Sequence, residues 1–374
     1  MSDLFEQPEL IPFQEVLEAL LDADQPLAPR YLYRLTDLGR QEQGQLAAIW
    51  PQLPAWRRTA LLQDLEEIFE GDTLLSFEAV SRLALQDPQA EIRFLGIRAL
   101  QEYEVPDLIE PFIEFMRSDP DEAVRAVAAS ALGKYVYLGE IEELPRQVLK
   151  RIEDTLLEVL ASQAPDSVRR RALESLGFSS RPEVPAYIDQ AFNLHKHDWL
   201  GSALFAMGRS YDQRWREMVI EMLDHSNPAV RMEAARAAGE LELSQALQYL
   251  IELTEDGDED VRLAAVWSLS QIGGDKANRV LNHLLKAAEN DEETEFIAAA
   301  LDNLVFNESI GLHGMLDFGE QAELDSDSDF DSYDDDDFDD DINDDFDDDF
   351  DDDDDDDEWR PIDFDAFDDE DADD

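Results

Sequence analysis

The sequence predicts an all-α fold: an α-solenoid of stacked antiparallel helix pairs, followed by a disordered acidic C-terminal tail. Three observations carry this expectation. A short phrase recurs at a period in the low thirties, apolar residues flank it at helical spacing, and the composition changes abruptly to Asp-rich sequence near the end. The phrase reads Asp87-Pro88-Gln89-Ala90-Glu91-Ile92-Arg93, then Asp119-Pro120-Asp121-Glu122-Ala123-Val124-Arg125. It returns as Pro165-Asp166-Ser167-Val168-Arg169, Asn227-Pro228-Ala229-Val230-Arg231 and Asp258-Glu259-Asp260-Val261-Arg262. Self-similarity at this period describes units that bury their apolar faces against neighbours rather than around one closed core.

Each unit reads as helix, turn, helix. Around residue 119, Leu108, Ile109, Phe112, Ile113, Phe115 and Met116 form an apolar stripe at helical spacing. Ser118-Asp119-Pro120 ends that helix, because Pro cannot continue it and pushes the preceding residue out of the α region. The same Ser or Asp can cap the next helix, with Pro in its first turn. Val124, Val127, Ala128, Ala131 and Leu132 then face inward, and Gly133 suits a helix end of positive φ. Gly177, Gly239 and Gly273 stand at comparable places. Small residues on the second helices, such as Ala172, Ala235 and Ala265, allow neighbouring units to approach closely.

Some units depart from the pattern. Val124 and Val168 are 44 residues apart, which places an insertion around Tyr135 to Glu143, as a longer loop or an extended first helix. A degenerate unit runs from His197 to Gly208, and a last one through Asn290 to Leu304 with Phe296, Ala299, Ala300 and Leu301. Trp56 to Leu62 lies about one period before Ile92. Further helices are expected at Phe13–Leu21, Pro29–Leu38 and Gln41–Trp50, with divergence expected of terminal units that cover an open apolar face. The organisation that follows is a helical capping region at 1–63, repeats at 64–312 and an Asp-rich tail with interspersed aromatics at 313–374.

The formal net charge is -63. From Asp317 onward lie 35 of the 92 acidic residues and only Arg360 of the 29 basic ones, leaving 57 acidic and 28 basic residues in the body. Such a molecule repels nucleic acid and anionic lipid and attracts basic proteins. The expected partners are therefore proteins, basic ones among them, with no nucleic acid and no membrane insertion. No run of eighteen apolar residues exists, the start at Met1 to Glu6 is acidic, and cysteine is absent. The expected location is cytoplasmic.

The phrase Asp-Pro, spacer, Val-Arg, then Ala and Leu resembles the HEAT repeat. Its Ala-rich form of roughly 31 residues is similar to the phycobilisome-lyase HEAT-like class. The resemblance runs from about Asp64 to Leu304, best at Asp119–Gly133 and Asn227–Gly239. It implies a HEAT-like superhelix of the armadillo type. The family spans scaffolds, transport factors, lyases, a DNA glycosylase and a hydroxylase, so fold alone does not set function. The expected function is a non-enzymatic protein-interaction scaffold. The alternatives are a lyase-like or hydroxylase-like enzyme, and an acidic chaperone of basic proteins.

The turn residues Asp87, Arg93, Asp119, Arg125, Asp166, Arg169, Arg231, Asp258 and Arg262 are expected to form a structural ladder, each Arg pairing with an acidic or carbonyl group near a turn. A basic stripe for phosphates is the alternative. Arg170 and Arg171, beside Arg169, are expected to meet acidic neighbours, with a phosphate as the alternative. The HEAT-like hydroxylase binds iron through paired His-Glu steps, but His195, His197, His225, His283 and His313 are each followed by another residue. His195 and His197 beside Asp198 have metal-ligand chemistry in principle; an ordinary surface role is expected. Trp199, Trp215 and Trp267 are expected in the core, with a binding hot spot as the alternative. No catalytic, cofactor-binding or metal residue is assigned, and no cofactor is expected. In the tail, Phe338, Phe346, Phe350, Trp359, Phe364 and Phe367 are candidate anchors. The tail reads as a solvating brush, as a contact for basic proteins, or as a segment folded back on a basic groove of its own repeats.

Overall fold

Capping side chains and prolines break the chain into helices at regular intervals. The structure, a computed structural model, describes residues 11–288 and 290–322. These are helical, and no strand occurs among them. Helices α1 (Phe13–Leu21) and α2 (Pro29–Tyr33) precede α3 (Arg40–Ile49) and α4 (Ala55–Gly71). Then α5 (Glu78–Ala84) pairs with α6 (Ala90–Leu100), α7 (Ile109–Ser118) with α8 (Glu122–Glu140), and α9 (Arg146–Leu160) with α10 (Asp166–Ser175). The series continues with α11 (Val184–Phe192) and α12 (His197–Arg209), α13 (Arg216–Met222) and α14 (Pro228–Glu240), α15 (Leu247–Leu253) and α16 (Glu259–Ile272), and α17 (Gly274–Ala287) and α18 (Asp291–Ala322). The second helices, α4 through α18 by even number, form one layer in which each touches the next, and from α5/α6 onward the first helix of each pair packs on its own second helix.

The turns explain the breaks. Asp121, rather than Ser118 or Asp119, caps α8, accepting from the Val124 amide at 3.1 Å, so Pro120 stands before the cap and not in the first turn. Asn227 accepts from Ala229 at 2.9 Å, and Asp258 from Val261 at 3.3 Å. Each satisfies an amide that the first helical turn leaves open, a contribution of about 1 kcal/mol. Inside the unit of α7 and α8, Leu108, Phe112, Met116, Val124, Ala128, Leu132 and Tyr135 are fully buried. Each large side chain removed from water contributes roughly 1.5–3 kcal/mol. Buried residues form two cores, one from Phe13 to Leu95 and one from Ile97 to Leu304, and Phe94 packs against both.

The extra residues between Val124 and Val168 are not a loop. They lengthen α8 to 19 residues and α9 to 15, so a second helix and the following first helix share them. The boundary drawn at residue 63 falls inside α4, and α18 continues past residue 312 to Ala322. The rest of the acidic tail, with Phe338, Phe346, Phe350, Trp359, Phe364 and Phe367, lies outside the described residues.

The glycines act differently from the expectation. Gly133 sits well inside α8, and Gly239, the penultimate residue of α14, keeps a negative φ. The positive-φ residues past α8, α12 and α14 are instead Glu142 (66°), Tyr211 (52°) and Glu242 (51°); only Gly273, at 69°, ends its helix as expected. A Cβ on Gly133 would lie 2.9 Å from Ser175 Oγ on α10, and one on Gly239 would lie 2.8 Å from Ser268 Cβ on α16. Helix-to-helix contact, not turn geometry, requires glycine there. Beside each glycine a serine spans the gap: Ser175 Oγ donates to the Ala129 carbonyl at 2.8 Å, and Ser268 Oγ to the Ala235 carbonyl at 2.8 Å. Trp199 and Trp215 are buried, but Trp267 is 38% exposed, with its ring against Phe296 at 6.2 Å.

Candidate binding face

The turn residues do not form one uniform ladder. Arg93 donates from Nε and Nη2 to Asp119 of the next unit, both at 2.8 Å, and from Nη1 to the Asp87 carbonyl at 3.0 Å. Arg231 repeats this arrangement with Asp256, at 2.8 and 2.7 Å, and with the His225 carbonyl. The carboxylate thus stands six residues before the Arg of its own unit, as Asp87, Asp119 and Asp256 do. Asp258 stands four before and caps α16, and Asp166 stands three before, so neither belongs to that position. Asp166 accepts from Trp199 Nε1 at 3.2 Å and from Arg169 at 3.3 Å. Arg125 donates to the Met116 carbonyl and Arg262 to the Asp256 carbonyl. Asp87 is held from the unit before by Arg58 of α4 and by Trp50 Nε1 at 2.9 Å. Arg58 and Asp256 escaped the sequence reading because neither belongs to the quoted phrase.

With the turns satisfied and the second helices close together, their outward face is one continuous surface. Between α8, α10 and α12 it opens into a cleft of about 150 Å³. Its walls carry Lys134, Arg171 and Arg209 and the rings of Phe178 and Phe205, with Glu174 the single carboxylate. Three cations against one carboxylate is the reverse of the body, where acidic residues outnumber basic ones two to one. Glu174 is buried and already engaged, accepting from Arg171 at 2.9 Å and from Ser202 at 2.6 Å. Lys134 donates to the Glu102 carbonyl at 2.9 Å and pairs with the exposed Glu104 at 3.8 Å.

Arg209 is the distinctive group. Its guanidinium lies 4.3 Å from the Phe205 centroid and 4.8 Å from that of Phe178. Among the described residues its buried Nε has no hydrogen-bond partner and it makes no ion pair within 4 Å. Two aromatic faces hold the cation in place, and its Nη donors make no hydrogen bond among the described residues. Tyr137 (40% exposed) meets the Phe178 ring in a tilted arrangement at 5.1 Å, and Tyr211 (68% exposed) stands two residues after Arg209. Farther along, Glu233 of α14 is pushed up to about 7 by burial, despite Arg236 at 3.2 Å. Burial also raises Glu240, against the pull of Arg209 and Arg236.

The other charged sites are internally paired. A cleft of about 440 Å³ on the first-helix side is lined by Arg117, Lys150 and Arg151. Arg117 pairs with Glu158 at 2.5 Å, Arg151 with Glu110 at 2.5 Å, and Lys150 with Asp154. Of the arginine run, Arg170 faces Asp198 at 3.6 Å and Arg171 faces Glu174. His197 meets His225 edge-on at 5.6 Å, and Asn227 Nδ2 lies 3.1 Å from His197 Nδ1. Among the described residues no group of three or more His, Asp or Glu converges to hold a metal ion, and no helix is long and apolar enough to cross a membrane.

Known proteins were compared with this geometry. The profile of HEAT repeats matches residues 78–153, 198–257 and 217–305. No curated protein matches. Among solved structures, the complex of CpcE and CpcF of phycocyanin lyase from Nostoc sp. PCC7120 is similar over 61% of this chain and 94% of that one, with 18% identity and a TM-score of 0.42. Human deoxyhypusine hydroxylase is similar over 70% of this chain and 95% of its own, with 19% identity and a TM-score of 0.32. Importin beta is similar over 79% of this chain and 47% of its own, with 15% identity and a TM-score of 0.39. The repeated helix pairs, their phased turns and the matching profile make this chain a HEAT-repeat protein.

Proposed function

We propose that the chain is a non-enzymatic protein-binding scaffold whose second-helix face receives a partner segment. The observation that carries the reading is the grouping of Lys134, Arg209, Phe178 and Phe205 on one solvent-open face. Aromatic surface and arginine in this combination anchor protein interfaces, where a few such residues supply most of the binding energy. The acidic segment from Asp317 onward adds a second contact, for basic proteins: its charge steers the encounter and its spaced rings anchor it. The test compares capture by the full chain, by Phe205→Glu/Arg209→Glu and by Arg151→Glu, which alters the first-helix side. The reading requires a partner kept by wild type and by Arg151→Glu but lost by the double variant; partners retained equally by all three would overturn it. For the acidic contact, a poly-lysine peptide should bind the full chain in a salt-sensitive manner, and a chain ending at Ala322 roughly tenfold more weakly at low salt. Equal binding would leave the acidic segment as a solubilising brush only.

A further inference from the structure

We propose that the cleft between α8, α10 and α12 is occupied in cis by the chain's own segment Phe346–Trp359. The proposal rests on the reading of the second-helix face as a binding face and names its first occupant. Charge complementarity is the leading argument. The cleft sets Lys134, Arg171 and Arg209 around a single carboxylate that Arg171 and Ser202 already engage; Lys134 has the exposed Glu104 at 3.8 Å, and Arg209 makes no ion pair among the described residues. The segment reads Phe-Asp-Asp-Asp-Phe, seven further Asp, Glu and Trp, with no basic residue before Arg360. Each feature of the cleft has a counterpart in it. The two Nη groups of Arg209, which make no hydrogen bond among the described residues, match a carboxylate, which a guanidinium binds through two parallel hydrogen bonds. The exposed rings of Tyr137, which meets the Phe178 ring of the cleft, and Tyr211 offer aromatic partners to Phe346, Phe350 and Trp359.

The chain is long enough. From Ala322 to Phe346 are 24 residues, which span up to about 80 Å when extended. From α18 back to α8 the second-helix layer takes five steps, at roughly 10 Å each, which that length still covers. A tethered segment meets its site at an effective concentration of the order of millimolar, so even weak contacts fill the cleft and an outside partner must displace the segment. The cleft then functions as a guarded site, and a basic protein that draws the acidic segment away uncovers it.

Zero-length carbodiimide cross-linking of the full chain tests this, because it joins a lysine amine to a carboxylate already in contact. Lys134 lies at the cleft, whereas Lys150, Lys196, Lys276 and Lys286 lie elsewhere on the stack and serve as controls. At low salt, monomeric protein should yield links between Lys134 and carboxylates of residues 346–359 at roughly ten times the level of any control lysine. The links should fall at least severalfold in about 0.5 M salt, in Arg171→Glu/Arg209→Glu, and in Phe346→Ser/Phe350→Ser/Trp359→Ser. Equal linking of all lysines, or links unchanged by both variants, would overturn the proposal. Links confined to a cross-linked dimer would assign the segment to a second copy and overturn the cis arrangement. If a partner is lost by Phe205→Glu/Arg209→Glu yet Lys134 gives no tail links, the binding-face reading stands and only this occupant fails.

Discussion

Arg231 and Asp256 form a two-pronged pair across the α14–α16 junction, with donors 2.8 and 2.7 Å from the two carboxylate oxygens. Both side chains are largely buried. The pair joins the first turn of one second helix to the turn that begins the next, so it holds two repeats in register. Arg231→Ala leaves the Asp256 carboxylate without its cation, and a loss of roughly 2–4 kcal/mol is expected in urea unfolding. Arg231→Met/Asp256→Leu should lose less than the two single losses combined, with a coupling of about 1–3 kcal/mol. Additive losses would mean that the pair does not link the repeats.

The same pair has a pH signature. Burial pushes the Asp256 carboxyl up, but the hydrogen bonds from Arg231 outweigh it and hold the group below its ordinary value. A depressed carboxyl stabilises the fold above the ordinary carboxylate range, near pH 4, and that contribution is lost as the pH falls through the folded value. The gap in melting temperature between wild type and Asp256→Asn should therefore be widest near neutrality and should close in acid.

Glu233 has the opposite sign. Burial raises its carboxyl to about 7, so the ionised form is disfavoured in the fold. The penalty is absent below about pH 4, where both states are protonated, grows as the pH rises, and is complete above 7. Glu233→Gln should melt higher than wild type at pH 8 and equally at pH 4. A variant that is less stable at pH 8 would mean that the ionised carboxylate serves a structural pairing with Arg236.

Two glycine-to-alanine changes should differ in sign. Gly239→Ala drives a methyl into Ser268 and is expected to lose about 1–3 kcal/mol to overpacking, more than alanine returns in helix propensity. Gly44→Ala, in α3 with nothing within 4 Å of the added Cβ, should gain about 0.5–1 kcal/mol. Urea midpoints of the two variants check both.

Glu242 holds a φ of 51° just past the end of α14. Glycine enters this conformation without the Cβ penalty, so Glu242→Gly should stabilise the chain by a few tenths to about 1 kcal/mol, read as a rise in melting temperature.

The stack was legible in the sequence because turn chemistry and apolar spacing repeat together: Asp121, Asn227 and Asp258 cap the helices that their phrases predict, and Val124, Val168, Val230 and Val261 are fully buried. The ladder was only partly legible. Asp256 lies two residues before the quoted phrase, and nothing local distinguishes it from Asp258 until the next helix brings Arg231 beside it. Gly133 was misassigned for a related reason, since a glycine needed for helix contact resembles one needed for a turn until its neighbour, 42 residues away, is known. Lys134, Phe178, Phe205 and Arg209 come from three units, and the side of the second helices they share emerges only when those units stack.

Removal of one whole period tests the stack most directly. Deletion of residues 227–257 joins Ser226 to Asp258, which restores a turn phrase and leaves Arg262 six residues after His225, as Arg231 was. Units that lean only on their neighbours should refold into a shorter stack. The shortened chain should keep its helical signal per residue and unfold cooperatively, with a denaturant slope reduced in proportion to its length. Collapse of the helical signal, or a non-cooperative transition, would contradict the account and indicate a single closed core that cannot lose a segment.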